Sequence, residues 1–153
     1  MLDFKPMSRD EFSAYWKYSV ESWKRDMDEA GLIEKGISFE KAEEYVKKFL
    51  PNGIDTPGHH LMHIMDDEAT IGSIWFEIRD KGVREAYLWD IIINESYRRK
   101  GYGTGTMRRL EQFIKKEGAE RISLNVFGSN TIARNLYVKM GYHEAAITMI
   151  KYL

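Results

Sequence analysis

The sequence contains no cysteine among its 153 residues. Disulfides, thiolate metal sites and cysteine nucleophiles are therefore excluded. No apolar run approaches the ~20 residues that a membrane-spanning helix needs, and the first residues lack the pattern of a secretory signal peptide. From these absences we expect a cytoplasmic protein that has no association with a membrane.

An excess of basic charge is also absent, since the formal net charge is −1. Nucleic-acid-binding proteins usually carry a basic excess or a basic face. The basic residues here gather in short groups, at Arg98–Lys100, Arg108-Arg109 and Lys115-Lys116. This distribution predicts a small local anion site, and we expect no nucleic acid as a partner.

Length and composition are those of an ordinary globular chain. With 43% hydrophobic and 31% charged residues, the 153 residues are enough to bury a core. The chain has no internal repeat, low-complexity segment or interdomain linker, so we expect one domain over residues 1–153. No group of Asp, Glu or His has the spacing of three or four metal ligands, and we expect no metal.

The most informative stretch is an apolar strand that leads into a basic, glycine-rich turn and then a helix. It spans Asp90–Thr106, with Ile91–Ile93 in the strand, Arg98–Lys100 in the turn, and glycines that include Gly101 and Gly103. Such a turn directs backbone N–H groups and the positive end of a helix at one position. Glycine also lets a ligand approach the backbone closely. The stretch therefore predicts a site for phosphate or pyrophosphate.

Two better-known phosphate-binding loops do not fit this stretch. A dinucleotide fingerprint requires G-x-G-x-x-G, but the sixth position from Gly101 is Thr106, and no acidic residue ends the following strand at residues 121–127. A P-loop requires Gly-Lys-Ser or Gly-Lys-Thr after four spacer residues, and the chain has no such string. The pattern that remains is Arg98-x-x-Gly101-x-Gly103.

Periodicity along the chain predicts alternating helices and strands. Short turns between the strands near residues 59–65, 70–78 and 85–93 predict antiparallel neighbours. The strand at 121–127 follows a helix and should lie parallel to the strand before it. The remaining predicted elements are a strand at 2–6, helices at 9–30 and 38–50, helices after the glycine turn and after Asn130, and a last strand at 142–151.

A second motif lies near the end of the chain and reads Asn130-x-x-Ala133-x-x-Leu136-Tyr137-x-Lys139-x-Gly141-Tyr142. Asn130 is suited to cap a helix, and Tyr137 lies two turns further along the same face. In order, spacing and context, this motif and the glycine turn resemble the GNAT superfamily of N-acetyltransferases, in particular its small stand-alone bacterial members. The resemblance extends along essentially the whole chain.

The resemblance implies the GNAT fold, an α/β (α+β) architecture. Its central sheet is mixed and mostly antiparallel, with about six to seven strands, and about four helices flank it. In this family the strand before the glycine turn is bulged and splays from the next strand. The splay lies between the fourth and fifth strands and opens a V-shaped cleft.

The resemblance also implies acetyl-CoA as cosubstrate. Amides of the glycine turn should hold its pyrophosphate, the preceding strand should pair with its pantetheine arm, and the second motif should contact the arm. The amide of Ile93 is the expected oxyanion donor, and Tyr137 is the expected general acid for the departing thiolate. The residues implied in cofactor binding are Ile91, Ile92, Ile93, Arg98, Arg99, Lys100, Gly101, Tyr102, Gly103, Thr104, Asn130, Ala133 and Tyr137.

The implied reaction is direct attack of a primary amine on acetyl-CoA, and the acceptor is a small molecule, a peptide N-terminus or a lysine. The general base is not fixed, because the position that carries glutamate in some family members is Asn125 here. Asp90, Glu77 and Glu85 are candidates. Asp90 is favoured, since burial in an apolar strand would raise its pKa.

Several alternatives stay open at this point. Asp90 could instead be a structural carboxylate bonded to backbone or to a tyrosine. Residues 59 and 60, both histidine, could face the acceptor cleft or lie in a solvated loop. The aromatic stripe with Tyr15, Trp16 and Trp23 could be core or could line the cleft.

Two alternatives concern the whole protein. A CoA-binding sensor or interaction module without catalysis would carry the same motifs. The last predicted strand, at residues 142–151, would be exposed and would permit pairing into a homodimer.

Overall fold

The computed structural model describes residues 1–153. Its elements are β1 (Leu2–Pro6), α1 (Arg9–Glu29), α2 (Phe39–Lys47), β2 (His59–Asp66), β3 (Ala69–Asp80), β4 (Arg84–Ile93), α3 (Tyr102–Lys116), β5 (Arg121–Leu124) and α4 (Thr131–Lys139). Short 3-10 turns lie at Gly53–Asp55 and Glu95–Tyr97. None of the helices is long and apolar enough to span a membrane.

The strands form one sheet in the order β1-β2-β3-β4-β5. The first four are antiparallel neighbours, and β5 lies parallel to β4. Short turns join the antiparallel strands, whereas α3 connects β4 to β5, as parallel pairing requires. The mixed sheet and its four helices confirm the predicted fold class.

The first helix begins where its sequence predicts. The side chain of Ser8 accepts a hydrogen bond from the Glu11 amide at 3.2 Å, and the Ser8 amide donates to the Glu11 carboxylate at 3.1 Å. This reciprocal pair satisfies two N–H groups that the first turn of a helix leaves free. It fixes the start of α1, the helix whose Tyr15 bonds to Asp90 of β4.

Each face of the sheet has its own core, because side chains alternate between the two faces along a strand. On one face Ile64, Ile74 and Phe76 pack with Met107 and Leu110 of α3, and α4 adds Tyr137. On the other face, residues of the sheet pack against α1 and α2. That core comprises Met7, Tyr15, Val20, Ala42, Val46, Leu50, Leu61 and Trp75.

The strand β4 is bulged and separates from β5. Trp75 pairs with Asp90 and Phe76 pairs with Leu88, so Trp89 is an extra residue without a partner. β5 pairs with β4 only as far as Leu88. From Trp89 to Ile93 the β5 side of β4 has no neighbouring strand, which confirms the predicted V-shaped splay.

The predicted last strand, at residues 142–151, is wrong, and the sheet has five strands rather than six to seven. Residues 143–153 belong to no helix or strand, and none of their backbone groups bonds to another backbone group. Alternating apolar residues form a strand only where another strand lies alongside, and none does here. The strand β5 is also shorter than predicted, since it ends at Leu124 where β4 turns away.

Candidate active site

The turn before α3 presents a row of free backbone donors. The N–H groups of Arg99 through Thr104 donate to no other protein atom, and the first helical bond runs from the Gly105 amide to the Gly101 carbonyl at 3.0 Å. Gly101 holds the N-cap with φ of 82°, a conformation that glycine adopts without strain. Six successive N–H groups thus lie at the positive end of a helix, where an anion binds well.

The prediction for this turn needs one correction, at Arg98. Its amide was expected to contact the pyrophosphate, but it donates to the Glu95 carbonyl at 3.2 Å. Its guanidinium Nε donates to the Ile93 carbonyl at 2.8 Å. Lys100 likewise donates from Nζ to the Ser96 carbonyl at 3.0 Å. These two basic side chains therefore stabilise the turn and add positive charge beside its amides.

The glycines keep the space in front of the turn clear. A Cβ atom at Gly101 would meet no atom within 4 Å, and one at Gly103 would lie 3.6 Å from Leu136 Cδ2 in α4. The second contact also shows that the turn lies beside α4. The structure therefore brings the two sequence motifs together, although about thirty residues separate them in the chain.

Only part of the β4 backbone faces the splay. The Asn94 amide donates to the Ile71 carbonyl at 2.8 Å, and Ile92 lies opposite Ser73 in the same register. Because bonding alternates along an antiparallel pair, the backbone groups of Ile92 face β3, whereas those of Ile91 and Ile93 face the splay. The expectation that all three isoleucines face a ligand is thus wrong for Ile92.

The helix α4 carries the second motif. The Asn130 side chain accepts from the Ala133 amide at 3.2 Å and caps the helix, as its position in the sequence predicts. Tyr137 is 8% exposed. Its hydroxyl has no hydrogen-bond partner in the protein, yet it is not among the fully buried polar atoms. Burial raises the pKa of Tyr137, and the charge of Asp90 raises it further.

Asp90 lies on the opposite side of β4 from Ile91 and Ile93 and faces α1. The Tyr15 hydroxyl donates to Asp90 Oδ2 at 2.9 Å. Burial raises the pKa of Asp90 to about 6, although the hydrogen bonds from Tyr15 and from the Ile91 backbone oppose that rise. Both properties considered for Asp90 are present, because the carboxyl is bonded to a tyrosine and also titrates near neutral pH.

The other two candidate carboxylates differ from Asp90. Glu77 accepts from Trp89 Nε1 at 3.2 Å and lies 3.6 Å from His59 Nε2 and 3.7 Å from Arg79 Nη1. It is thus paired, but its side chain keeps 20% exposure. It belongs to the wall that faces α2.

Glu85 is a structural carboxylate. It accepts from Ser123 Oγ at 2.6 Å, from Arg121 Nε at 2.7 Å and from Arg79 Nε at 3.0 Å. Burial alone would raise its pKa, but these three donors hold the pKa at about 2. A carboxylate this acidic is a poor proton acceptor at neutral pH, which removes Glu85 from the candidate bases.

An aromatic cluster, the aromatic wall, lies beside Glu77. The bulged Trp89 stacks on Trp75 with ring centroids 5.2 Å apart, and Phe49 and Tyr87 each lie 4.6 Å from Trp89. His59 accepts at Nδ1 from Trp75 Nε1 at 3.0 Å. The sequence alone does not predict this cluster, because the bulge that brings Trp89 onto this face depends on the pairing of β4 with β3.

The histidines do not lie in a solvated loop. The His59 side chain is 5% exposed in the aromatic wall, and His60 stacks on Phe76 at 4.8 Å on the other face of the sheet. Burial lowers the pKa of both imidazoles, so both favour the neutral form. Only His59 lies beside Glu77 and Trp89.

The aromatic stripe of α1 divides between two roles. Trp16 donates from Nε1 to Glu43 at 3.0 Å, and Trp23 packs on Tyr45 at 5.8 Å. Both tryptophans lie between α1 and α2, in accord with the core alternative. Tyr15 points to Asp90 instead. Contacts between residues so far apart in the chain leave no local signal in the sequence.

The cleft thus combines an anion-binding turn, a free strand edge, a phenol without a partner and a carboxyl group of near-neutral pKa. Donors aimed at an anion and at an oxygen that becomes negative, together with an acid and a base, are the parts that acyl transfer needs. The phenol of Tyr137 and the carboxyl group of Asp90 lie on different elements, α4 and β4.

Comparison with known proteins gives consistent matches. The sequence profile of the acetyltransferase (GNAT) family matches residues 11–142. The uncharacterized N-acetyltransferase YycN of Bacillus subtilis (strain 168) is 29% identical over 150 residues, which are 97% of this chain and 96% of that protein. The uncharacterized N-acetyltransferase YdgE of the same strain is 31% identical over 149 residues, 96% of this chain and 95% of that protein.

One of these relatives also has a solved structure, and a further match has a named substrate. The crystal structure of YycN covers 100% of this chain and 99% of its own, with a TM-score of 0.94 and 28% identity. The [ribosomal protein bS18]-alanine N-acetyltransferase of Escherichia coli (strain K12) is 33% identical over 72 residues. That match spans 47% of this chain and 49% of the relative.

Proposed function

This chain belongs to the acetyltransferase (GNAT) family and is an acyltransferase enzyme, and from that premise we propose the reaction it performs. It transfers the acetyl group of acetyl-CoA to a primary amine by direct attack in a ternary complex. The observation that carries the proposal is the row of six free N–H groups from Arg99 to Thr104. A pyrophosphate offers enough oxygen acceptors for such a row.

The path of the pantetheine arm follows from the position of the pyrophosphate at the glycine turn. With the pyrophosphate at the turn, the pantetheine arm extends along the open edge of β4 as an added strand. It pairs with the backbone of Ile91 and Ile93, which face the splay. The Ile93 carbonyl is already bonded to Arg98, so Ile93 offers its amide. That amide is the proposed donor to the thioester oxygen as negative charge develops on it.

Tyr137 is the proposed general acid. Burial raises its pKa, which keeps the phenol protonated at neutral pH. Its hydroxyl has no partner in the protein and is not fully buried. When the amine nitrogen forms its bond to the carbonyl carbon and the carbon–sulfur bond breaks, the departing thiolate takes the Tyr137 proton.

Asp90 is the proposed general base. A carboxyl with a pKa of about 6 is mostly ionised at pH 7 and accepts a proton from the acceptor amine, directly or through one water molecule. Glu77 is the second candidate. It lies in the aromatic wall, where a carboxylate also attracts a cationic acceptor. The acceptor is therefore expected to enter from the α1 and α2 side.

The acceptor class stays broad in this proposal: a small-molecule amine, a peptide N-terminus or a lysine. The name of the Escherichia coli relative gives a protein N-terminal alanine as its acceptor. That match covers less than half of this chain, so it adds peptide N-termini to the candidates without excluding the others. The half-exposed Phe49, Tyr45 and Tyr18 border the acceptor side and favour an acceptor with apolar parts.

A thiol-release assay tests the proposal. Wild-type protein and acetyl-CoA are incubated with a panel of polyamines, aminoglycosides, lysine peptides and peptides that begin with alanine, and released CoA is measured against a no-acceptor control. We expect at least one amine to accelerate release, and mass spectrometry to find that amine acetylated. If acetyl-CoA binds by calorimetry but no acceptor accelerates release, the transfer proposal fails and a CoA-binding module without catalysis is favoured.

A further inference from the structure

Gly72 of β3 is buried and lies directly opposite Ile93 of β4. A Cβ atom at Gly72 would lie 2.0 Å from the Ile92 carbonyl oxygen, 3.1 Å from the Ile92 carbonyl carbon and 3.2 Å from Ile93 Cα. Real Cβ atoms essentially never approach another heavy atom within 3.0 Å. The space that a side chain would fill at position 72 is therefore occupied by the backbone of β4.

Backbone conformation does not explain why a glycine stands at position 72. Gly72 does not adopt the left-handed φ that Gly101 and other glycines of the chain adopt. At Gly105 a Cβ atom would lie 2.6 Å from Leu2 Cδ1, but that atom is the end of a side chain that can rotate. At Gly72 the obstacle is a peptide group within a paired strand, so only glycine fits without a shift of β4.

The three atoms that a Cβ at Gly72 would meet belong to one peptide unit, which joins Ile92 to Ile93. This peptide is trans, like every other in the chain. A trans peptide is planar, and its C=O and N–H groups point in opposite directions. Because the Ile92 carbonyl is directed at β3, the Ile93 N–H is directed away from β3 and into the splay. That N–H is the proposed donor to the thioester oxygen.

The paired segment that holds this peptide lies between two bulges. It comprises Gly72–Trp75 of β3 and Asp90–Ile93 of β4. At one end Trp89 is an extra residue of β4 relative to β3, and at the other end Ile71 is an extra residue of β3 relative to β2. Bulges increase the local twist of a strand. Strong twist tilts peptide groups out of the plane of the sheet, and glycine at position 72 leaves room for that tilt.

We propose that Gly72 is a positioning residue for acetyl transfer. Because it has no side chain, the Ile92–Ile93 peptide adopts the orientation that directs the Ile93 N–H at the thioester oxygen. Gly72 touches neither acetyl-CoA nor the acceptor and acts only through Ile93. The role in transfer rests on the proposed function, whereas the orientation of the peptide can be measured without any ligand.

A methyl group at position 72 should rotate this peptide and leave the sheet intact. The new Cβ and the Ile92 carbonyl oxygen must move from 2.0 Å to at least 3.0 Å apart. The next bond of the ladder, from the Asn94 amide to the Ile71 carbonyl at 2.8 Å, holds the strands together beyond the peptide. No strand lies on the splay side of β4 here, so the peptide can yield in that direction. The N–H must turn with the carbonyl, because the unit is planar.

Residual dipolar couplings of ligand-free, ¹⁵N-labelled protein measure the direction of each N–H bond. Wild type and Gly72→Ala are compared in two alignment media. We expect the couplings of the sheet to agree between the two proteins except at and next to Ile93, where the N–H has turned. Gly128→Ala is the matched control, since a Cβ there would meet no atom within 4 Å, and its couplings should equal those of the wild type. An unchanged Ile93 coupling in Gly72→Ala in both media overturns the proposal.

Hydrogen exchange of the wild type tests the orientation even if Gly72→Ala does not fold. The Ile93 N–H faces the splay and should exchange much faster than the Ile92 N–H, which faces β3. Similar protection of the two amides contradicts the orientation. A Gly72→Ala protein without the circular dichroism of a folded chain would show that the space serves folding as a whole, and it would also overturn a role confined to one peptide.

Kinetics and infrared spectroscopy test the consequence for the reaction. Gly72→Ala should lower kcat at least about tenfold, since loss of one oxyanion donor costs roughly 10²–10³-fold. CoA, which has no acetyl carbonyl, should bind to Gly72→Ala as tightly as to the wild type. With acetyl-CoA labelled with ¹³C at the acetyl carbonyl, the hydrogen bond from Ile93 should lower the carbonyl stretching frequency in the wild type and lower it less in Gly72→Ala. Equal kcat and equal frequency in the two proteins overturn the positioning role.

These measurements separate failure of the positioning role from failure of the proposed function. If the wild type transfers no acetyl group but the Ile93 coupling changes in Gly72→Ala, the proposed function fails and the control of this peptide by Gly72 is supported. If both proteins transfer acetyl groups at the same rate, the proposed function stands and the positioning role is overturned.

Discussion

One side of the cleft is built from backbone groups, and the other side is built from side chains. The side proposed for acetyl-CoA offers backbone groups, namely the amides of Arg99–Thr104 and the open edge at Ile93. The side proposed for the acceptor offers side chains, with Asp90 bonded to Tyr15 and Glu77 bonded to Trp89. Backbone donors need only the correct turn and enough space, whereas each side chain depends on a partner on another strand or helix.

This difference predicts how each side should fail. A substitution on the backbone-built side acts through bulk or charge in the space before the turn. A substitution on the side built from side chains should remove a reacting group and slow acetyl transfer, while the affinity for acetyl-CoA stays unchanged.

Gly103→Glu should abolish measurable acetyl-CoA binding. It places a negative charge in the space before six amides, and a like charge ~4 Å from a phosphate costs about 4 kcal/mol at a protein surface, which is roughly a 1000-fold loss of affinity. A Cβ at this position makes only an ordinary contact with Leu136, so the fold should persist. Calorimetry measures the affinity, and circular dichroism confirms the helix content.

Gln112→Glu is the matched control for Gly103→Glu. It adds the same charge to an exposed position of α3, far from the first turn. We expect its affinity for acetyl-CoA to equal that of the wild type. Equal losses in both variants would mean that net charge, rather than occupation of the turn, determines binding.

Tyr137→Phe should lower kcat by roughly 100-fold, which is the lower end of the range of rate effects for a positioned general acid. The dissociation constant for acetyl-CoA should change little. Tyr142→Phe is its control, because the Tyr142 hydroxyl is buried and has no hydrogen-bond partner. It should leave kcat unchanged. Single-turnover kinetics with the best acceptor distinguish the two. Equal rates for Tyr137→Phe and wild type would remove Tyr137 from the reaction.

Asp90→Asn should remove the acidic limb of the pH–rate profile. In the wild type, kcat/KM should rise through about pH 6, because Asp90 must lose its proton before it can act as base. Tyr15→Phe removes a hydrogen bond that lowers the pKa of Asp90. The acidic limb of the pH–rate profile of this variant should therefore move to higher pH. Glu77→Gln should keep the limb in place. A limb that persists unchanged in Asp90→Asn would assign the proton to another group.

Glu85→Gln should affect stability far more than rate. Folding lowers the pKa of Glu85 from 4.5 to about 2, so its stabilisation is present above pH 4.5 and is lost as the pH falls toward 2. Breaking this buried pair should cost ~3 kcal/mol at pH 7. Urea unfolding at pH 7 measures the loss, and an unchanged midpoint would contradict it.

In the same urea-unfolding experiment, we expect the ionisation of Asp90 to have the opposite effect on stability. Folding raises its pKa from 3.8 to about 6, so its ionisation destabilises the folded state as the pH rises through 6. Asp90→Asn should therefore stabilise the protein at pH 7 by as much as about 3 kcal/mol, and less at pH 4. Such a cost to stability is what the proposed role of Asp90 as general base predicts.

The sequence predicted the backbone-built side better than the other side. The strand, glycine turn and helix are adjacent in the chain, so local patterns were enough to place the amides of residues 99–104. The errors at Ile92 and at the Arg98 amide arose because each depends on hydrogen bonding that the pattern leaves open. For Ile92 this is the register with β3, and for Arg98 it is the 3-10 turn at Glu95.

The acceptor side could be predicted only as a set of candidates. Tyr15 and Asp90 meet across 75 residues of sequence, and the bulge at Trp89 arises only when β4 pairs with β3. Residues 143–153 show the same limit. Their apolar residues predicted a strand, but a strand forms only where another strand lies alongside, and no strand of the sheet does so here.

Amide chemical shifts report most directly on whether backbone groups of this turn hold acetyl-CoA. Acetyl-CoA is titrated into ¹⁵N-labelled protein, and the shift of every assigned amide is followed. The largest changes should fall on residues 99–104 and on Ile93, while Ile92, whose amide faces β3, changes little. If the largest shifts instead fall on Trp75, Trp89 and their neighbours, acetyl-CoA binds at the aromatic wall and the division between the two sides is wrong.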